Sequence, residues 1–441
     1  MKILFKNAKV VSSLKTEIKD VLVNNGIIEK IADSIGEVKV DEEYDLTDKY
    51  LIPGVIDAHV HFRSPGYEEK EDWKTGSMAA LAGGVTTVFD MPNTNPKTVT
   101  AEALQLKRAL ARKSSFVNYG LFFGAMLDNI EEVKKVNDVV GLKVFMSGTT
   151  GHMIMEKNAR IDELLEELFK NSPFTVAVHA EDEEMFDRHA GIYADEHKPE
   201  IHSLIRNDAI AFSAARRAVH LAKKHGGKLH LCHVSTKKEM QLLVKYPEVT
   251  CELTPHHLFL SVKEYAKHEN FVKVNPPLRS ERDQEFLWDG IRRSIISTIA
   301  SDHAPHLPNE KKRDYWDAPA GVPGVETMLP LMLNAVNEEM LTLKDVIAMM
   351  CEKPAEIYSI SQKGYIREGF DADLTVLDMD MKKQIENKNL YTKCGWSPFN
   401  GKEIKGWPVM TFVGGKLGMK DGKVLESDDL RGEEVKAEVA G

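Results

Sequence analysis

Residues 51–63 read LIPGVIDAHVHFR, an apolar run that ends in two histidines and an arginine. Successive side chains of a strand point to opposite faces, so His59, His61 and Arg63 are expected on one face. Two imidazoles at this spacing can bind one metal ion, although histidines on a half-buried strand can also simply be hydrogen-bonded core residues. The pattern predicts a strand with functional side chains at its carboxyl end.

Four later apolar runs also end in side chains that can act as ligands. They are residues 141–146, 174–181, 229–235 and 296–306, which carry Lys143, His179, His233 and Asp302. Short runs of this kind, separated by helical patterns, are typical of buried parallel strands. In a (β/α)₈ barrel the reacting residues lie at the carboxyl ends of different strands. The sequence therefore predicts an α/β fold with a TIM-like barrel and a site at that end.

Eight strand candidates suit one closed barrel: residues 55–61, 85–91, 116–122, 140–146, 174–179, 228–233, 249–254 and 296–301. Both ends of the chain instead carry short alternating runs with hairpin turns at 24–26, 414–415 and 421–422. We expect residues 1–53 and 366–441 to form a small β-sandwich domain, and residues 54–365 to form the barrel. The last dozen residues are mostly charged, which predicts a frayed tail.

Composition narrows the class of protein. The chain has 441 residues, of which 42% are hydrophobic, and a net charge of −10, which argues against nucleic acid or an anionic membrane as a partner. It shows no run of eighteen apolar residues and no charged-then-apolar leader, so neither a membrane span nor a secretory signal is expected. The four cysteines have no framework spacing. They are expected to be reduced thiols of a cytoplasmic enzyme.

Motifs along nearly the whole chain resemble those of the dihydroorotases, class I type, in the amidohydrolase superfamily. In order, they are DAHVHFRSPG, LAGGVTTVFDMPNTNP, VHAED, LHLCHVS, CELTPHHLFLS, KVNPPLRS, ASDHAPH and GVETMLPLML. The resemblance implies a barrel with a β-sandwich built from both chain ends. It also implies a reversible cyclisation of N-carbamoyl-L-aspartate to L-dihydroorotate in pyrimidine biosynthesis.

The resemblance also implies a binuclear metal site. Its ligands would be His59, His61 and Asp302 for one ion, His179 and His233 for the other, and Lys143 bridging both. A protonated lysine cannot donate a lone pair and would be repelled by two cations, so the resemblance implies a carbamate, N6-carboxylysine, at Lys143. Alternatively, Lys143 extends along apolar neighbours to water. Two zinc ions are expected, while manganese, cobalt or iron suit the same donors.

Asp302 is expected to have two roles. A hydroxide held between the two metals would open the cyclic amide, and Asp302 would carry its proton to the leaving nitrogen. The alternative for this residue is a helix N-cap in a Ser-Asp-His turn.

The resemblance assigns substrate recognition to six residues: Arg63, Asn93, Asn275, His306 and, through their backbone, Ala320 and Gly321. A guanidinium pairs in fork geometry with a carboxylate such as that of dihydroorotate. Asparagines beside prolines also cap turns, and some family members carry arginine in place of Asn275. Four further residues are candidates for supporting the ligands: Asp57, Asp90, His256 and His257.

Two other functions are weighed against this one. Hydantoinases, dihydropyrimidinases and allantoinases open related rings, but they are not expected to carry arginine at position 63. A metal-free paralogue could be a structural partner of another enzyme such as aspartate transcarbamoylase, yet all six ligand positions are filled here. A small-molecule substrate is expected, and a homo-oligomer or a complex with aspartate transcarbamoylase stays open.

Overall fold

A computed structural model describes residues 1–148, 158–427 and 429–439. These residues form a parallel eight-stranded sheet and a mixed nine-stranded sheet, with helices between the strands of the first. The predicted fold class, a TIM-like barrel beside a β domain built from both chain ends, is confirmed. No helix within the described residues is long and apolar enough to cross a lipid bilayer.

The strands fall into three groups along the chain. The first five are β1 (Lys2–Val11), β2 (Thr16–Asn24), β3 (Ile27–Ala32), β4 (Glu42–Asp45) and β5 (Tyr50–Pro53). The barrel strands are β6 (Val55–Val60), β7 (Val85–Asp90), β8 (Asn118–Gly124), β9 (Gly141–Phe145), β10 (Val176–His179), β11 (Leu229–Leu231), β12 (Thr250–Leu253) and β13 (Thr298–Ile299). The last four are β14 (Leu374–Gln384), β15 (Glu403–Val413), β16 (Lys416–Lys420) and β17 (Lys423–Val424).

Helices follow most barrel strands. They are α1 (Trp73–Ala82), α2 (Ala101–Ser114), α3 (Ile130–Val133), α4 (Asn158–Asn171), α5 (Glu183–Ile192), α6 (His202–Ile205), α7 (Asp208–His225), α8 (Lys237–Leu243), α9 (Pro255–Phe259), α10 (Tyr265–His268), α11 (Glu281–Arg292), α12 (Pro308–Lys311), α13 (Met328–Asn337), α14 (Leu343–Ile347) and α15 (Lys353–Ile357). Side-chain caps begin many of them. For example, Asp72 and Thr75 form a capping box at the start of α1.

The barrel is closed just beyond the end of its last strand. Strands β6 to β13 neighbour one another in chain order and are all parallel. After β13 the chain returns to β6, where His303 pairs in parallel with Val60 and the His61 amide donates to the His303 carbonyl at 2.8 Å. This contact brings the residues that follow β6 and β13 together at one rim, which is where a barrel carries its reacting groups.

Both chain ends meet in the second sheet. Strand β5 pairs in parallel with β1 and antiparallel with β14, where Leu51 lies opposite Val376. The predicted hairpin turn between β2 and β3 is present, with positive φ at Asn25 and Gly26 as tight hairpins require. Because β5 belongs to this sheet and β6 to the barrel, we propose one domain limit at 53/54. We propose the other at 365/366, between α15 and β14, because Ile366 packs against the core of the second sheet.

The prediction of a frayed tail is wrong for residues 430–439. Leu430 is 1% exposed, and Val435 is 9% exposed and packs in a barrel cluster with Ile56. The segment runs beside β8, where the backbone amide of Tyr119 donates to the carbonyl of Glu433 and the backbone carbonyl of Tyr119 accepts from the amide of Val435. The charged composition hid this docking, in which backbone hydrogen bonds, a few apolar side chains and a buried ion pair between Glu434 and Arg108 at 2.6 Å hold the segment.

Candidate metal and active site

Ten of the twelve predicted site residues line one cavity at the carboxyl end of the barrel: His59, His61, Arg63, Asn93, His179, His233, Asn275, Asp302, Ala320 and Gly321. The other two, Lys143 and His306, are fully buried and contact residues that line it. The barrel therefore brings together residues that are up to 262 positions apart, from His59 to Gly321.

The first group of candidate ligands consists of two histidines and a carboxylate. Oδ1 of Asp302 lies 3.4 Å from Nε2 of His59 and 3.1 Å from Nε2 of His61. All three residues are buried, and their ligand atoms lie within 4.8 Å of one another. Such a group has the geometry to surround one cation.

Neighbouring acceptors determine which nitrogen of each ring faces the carboxylate. Nδ1 of His59 is hydrogen-bonded to the carboxylate of Glu252, and Nδ1 of His61 lies 2.6 Å from Oδ1 of Asn93. Both Nδ1 atoms therefore donate, and in neutral rings both Nε2 atoms present lone pairs to an oxygen of Asp302. Converging lone pairs repel one another unless a cation lies between them. The donor set thus fits a divalent metal, with Glu252 and Asn93 orienting its ligands.

The titration of these groups agrees with a cation between them. Burial lowers the pKa of His61 to about 3. Burial also disfavours the charged form of His59, but the carboxylates of Glu252 and Asp302 raise its pKa to about 10. Burial would raise the pKa of Asp302, whereas the imidazoles of His59 and His61 hold it well below its usual range. A metal ion bound between His59, His61 and Asp302 would therefore replace a proton on His59.

The second group of candidate ligands lies beside the first. Nδ1 of His179 is 3.0 Å from Nε2 of His233, and the ring centres of His59 and His233 are 5.4 Å apart. Nε2 of His179 donates to Glu181 at 2.9 Å, and Glu181 in turn pairs with Arg206 at 2.5 Å. Burial lowers the pKa of both His179 and His233. Two neutral rings with facing nitrogens can share a second cation.

Lys143 lies inside the barrel with no exposed surface. Its Nζ is 2.9 Å from Sγ of Cys232 and 5.1 Å from the ring centre of Phe145, which itself lines the cavity. Within the described residues, no carboxylate forms a hydrogen bond or an ion pair with this amine. A carbamate would convert this buried cation into an anion suited to bridging two metals.

Three residues of the site have a left-handed backbone conformation, which residues other than glycine rarely adopt. Arg63, His233 and Asp302 have φ of 59°, 35° and 46°. Each follows the end of a barrel strand, so the left-handed turn redirects a functional side chain where the strand stops. Strained backbone of this kind concentrates at functional sites.

A cationic group flanks the candidate ligands. Arg63 is 4% exposed, its Nε donates to the Pro305 carbonyl at 3.2 Å, and its Nη2 lies 3.2 Å from Nε2 of His306. Burial lowers the pKa of Arg63 to about 10, so the guanidinium stays charged at neutral pH. Oδ1 of Asn275 faces Nε2 of His202 at 3.0 Å, which leaves the Asn275 amide group to donate elsewhere.

The Ala320–Gly321 backbone is held by a buried lysine. Nζ of Lys311 donates to the carbonyls of Lys273, Pro319 and Gly321 at 2.9 to 3.1 Å. Lys311 is 1% exposed, and burial lowers its pKa well below the usual range. The carbonyl groups compensate the buried ammonium, so this loop is fixed at the mouth of the cavity.

The four supporting candidates have different surroundings. Oδ1 of Asp57 accepts from the amides of His59 and Ser301, and Asp90 accepts from the amide of Phe62. Both carboxylates thus hold backbone at the ends of β6 and β13. The ring of His257 is bonded to Thr254 and Pro276. It braces that loop, and within the described part of the chain its ring nitrogens bond to no candidate ligand.

For its neighbour His256, Nε2 is buried and has no hydrogen-bond partner among the described residues. Burial lowers the pKa of His256 to about 4.

Two residues that hydrogen-bond candidate ligands were not predicted from the sequence. Glu252 lies in the apolar strand β12, and Glu181 follows His179 by two positions. The available signal was a carboxylate within a run of buried residues, because such a group requires a partner. The partner of Glu252 could not be named from the sequence, because Glu252 and His59 are 193 positions apart.

Comparisons with known proteins agree with this geometry. The sequence model of the amidohydrolase family matches residues 50–418. A dihydroorotase from Methanothermobacter thermautotrophicus is 38% identical over 93% of this chain and 94% of its own. One from Pyrococcus horikoshii is 38% identical over 91% and 88%.

Solved structures give a second comparison. An L-hydantoinase (dihydropyrimidinase) from Arthrobacter aurescens superposes with a TM-score of 0.94 and 30% identity, covering 98% of this chain and 99% of its own. A dihydropyrimidinase from Brevibacillus agri has a TM-score of 0.93 and 25% identity over the whole of both chains.

Glu252→Gln tests the orienting carboxylate. The amide keeps the shape but loses the charge that holds the Nδ1 proton of His59, so affinity for a divalent metal should fall by about 10- to 100-fold. Chelator competition on the purified variants measures this. Glu281→Gln, an exposed partner of Lys263, is the matched control. Unchanged affinity in Glu252→Gln would show that Glu252 serves the fold alone.

Proposed function

The chain belongs to the amidohydrolase family, and on that premise we propose that it is a dihydroorotase, a cyclic amide hydrolase that interconverts N-carbamoyl-L-aspartate and L-dihydroorotate. The observation that carries the proposal is a buried guanidinium, that of Arg63, in the wall of the cavity that holds the histidines and Asp302. Relatives named dihydroorotase, similar over nearly the whole chain, support it.

The groups near Arg63 suit a ring that bears a carboxylate. A charged donor in a buried wall needs an anionic partner, and the carboxylate of dihydroorotate supplies one in fork geometry. Asn93 and Asn275 line the same cavity and offer amide groups for the ring. We assign substrate binding to these residues together with His306 and the Ala320–Gly321 backbone.

A hydantoinase or dihydropyrimidinase is the second candidate, because solved structures of that kind share the fold so closely. Their substrates carry no ring carboxylate, and such a site has no use for a buried arginine in the substrate wall. The similarity in fold is therefore less specific than Arg63. Four free and buried thiols support a cytoplasmic location for the enzyme.

We assign the metal ligands as the first group (His59, His61 and Asp302), the second group (His179 and His233) and carboxylated Lys143 between them. Zinc suits these imidazole and carboxylate donors. When bound, the two ions would supply Lewis acidity that ionises water near neutral pH and polarises the amide carbonyl.

Asp302 moves the proton in this mechanism. Its Oδ1 faces His59 and His61, which leaves Oδ2 to accept a proton from the attacking water. The new bond joins that water oxygen to the carbonyl carbon of the ring amide, the carbon–nitrogen bond breaks, and Asp302 returns the proton to the leaving nitrogen. Ring closure is the same path in reverse, with water as the group that leaves.

Lys143→Ala tests the carbamate bridge. The variant should lose most bound metal and activity, because no anion remains between the two groups of histidines, and short carboxylic acids should restore part of both. Metal analysis and ¹³C NMR under ¹³CO₂ measure this, with Lys134→Ala on the surface as the control. Full activity with two metals in Lys143→Ala would refute the bridge.

Asp302→Asn separates proton transfer from metal binding. The amide oxygen still faces the histidines but accepts no proton, so turnover should fall by about 10² to 10⁴ while metal content changes less. Initial rates in both directions, with metal content measured on the same samples, give the result. Asp314→Asn, at an exposed pair with His197, is the control. Turnover within a few-fold of the parent would remove Asp302 from the mechanism.

Arg63→Met tests the identity of the substrate. Loss of a buried charge-assisted pair should cost about 2–5 kcal/mol of transition-state stabilisation with dihydroorotate and little with neutral dihydrouracil, used as substrate or as competitive inhibitor. Values of kcat/KM and inhibition constants measure the difference. Arg293→Met, on the surface, is the control. Equal losses for both rings would make Arg63 structural and favour a hydrolase of uncharged rings.

A further inference from the structure

His306 lies between two cations. Its Nε2 is 3.2 Å from Nη2 of Arg63, and its Nδ1 is 3.3 Å from Nζ of Lys70. Nε2 is also 3.1 Å from the carbonyl of Ala320, and the residue has no exposed surface. Both ring nitrogens therefore face a group that can only donate.

An imidazole in this position can satisfy only one of the two cations. Burial and the charges of Arg63, Lys311 and Lys70 hold the pKa of His306 well below its usual range, so the ring is neutral. A neutral ring has one lone pair and one N–H. Either Nδ1 accepts from Lys70 and Nε2 carries the proton, or Nε2 accepts from Arg63 and Nδ1 carries it.

The contacts favour the proton on Nε2. In that state Nδ1 accepts from Lys70, whose ammonium is held in place by Glu310 at 2.8 Å, and Nε2–H donates to the carbonyl of Ala320. In the other state, Nδ1–H would point at the Lys70 ammonium, and Oε2 of Glu310 lies 3.8 Å away, beyond hydrogen-bond distance. The ammonium therefore selects the tautomer.

We propose that Lys70 is a positioning residue for substrate recognition, which fixes His306 as an Nε2–H donor beside the guanidinium of Arg63. This inference rests on the proposed function. With the proton on Nε2, His306 donates to the Ala320 carbonyl and also lies 3.2 Å from Nη2 of Arg63, so two donors meet beside that carbonyl. A carboxylate placed across both donors relieves that conflict, whereas a neutral ring edge offers no anion to do so.

The first test compares Lys70→Met, Lys70→Arg and the control Lys74→Met, whose lysine lies nearby in the sequence but pairs with Glu426 at the surface. Lys70→Met should raise KM for dihydroorotate about ten-fold or more and change kcat less, because a donor to a charged group is lost. The inhibition constant of dihydrouracil should not change. Lys70→Arg should keep the parent values, since it retains a cationic donor.

The second test reads the tautomer directly, in protein without substrate. Nitrogen-15 NMR of histidine-labelled protein distinguishes a protonated Nε2 from a protonated Nδ1, and the spectrum of His306→Gln identifies the His306 signals. The parent, Lys70→Arg and Lys74→Met should show Nε2–H. Lys70→Met should shift to Nδ1–H, because Nε2 can then accept from Arg63.

The outcomes separate this inference from the proposed function. A parent spectrum with Nδ1–H overturns the inference, as does an unchanged tautomer in Lys70→Met or an equal loss for dihydroorotate and dihydrouracil. A parent enzyme that does not interconvert dihydroorotate and carbamoyl aspartate overturns the proposed function, whatever the tautomer. The parent spectrum alone can refute the inference, so the test does not require that the Lys70→Met variant folds.

Discussion

The buried carboxylate of Glu252 is the interaction on which the arrangement of the site depends. It lies on β12 with no exposed surface and accepts from Nδ1 of His59, from the amide of His233 at 3.1 Å and from Nε2 of His230 at 3.3 Å. Burial would raise its pKa, but His59 above all holds it well below the usual range. A charge in this position is tolerated only when all its partners are present, so the ends of β6, β11 and β12 must come together as a unit.

Much of the fold followed from short-range patterns in the sequence. All eight barrel strands were predicted near their observed positions, because buried parallel strands are apolar runs bounded by turn residues and charges. The carboxyl ends of parallel strands meet at one rim, which is why ligands so far apart in the sequence could be expected in one cavity. Strand β13 is shorter than predicted, Thr298–Ile299, because the chain leaves regular pairing before it reaches Asp302.

The remaining features depend on contacts that no local pattern encodes. Glu252 and Lys70 contact His59 and His306, which lie 193 and 236 positions away, and the sequence does not show that these residues are close in space. A lysine in a charged loop is expected at the surface. The segment 430–439 was misjudged for a related reason. Its composition is that of a solvated tail, but its backbone pairs with β8 and Val435 fills a site in the barrel cluster. Docking by backbone hydrogen bonds leaves little trace in composition.

The pairing of β5 with β14 has a consequence for how this chain leaves the ribosome. Pro53 lies opposite Leu374, so the edge of β5 that receives β14 must wait while about 320 further residues are made. At about 5–20 residues per second this takes roughly 16 to 64 s. Throughout that time Leu51 and Ile52, both fully buried in the finished protein, border an open strand edge. The β domain is thus begun before the barrel and completed after it, and β5 has an unpaired edge until β14 has been made.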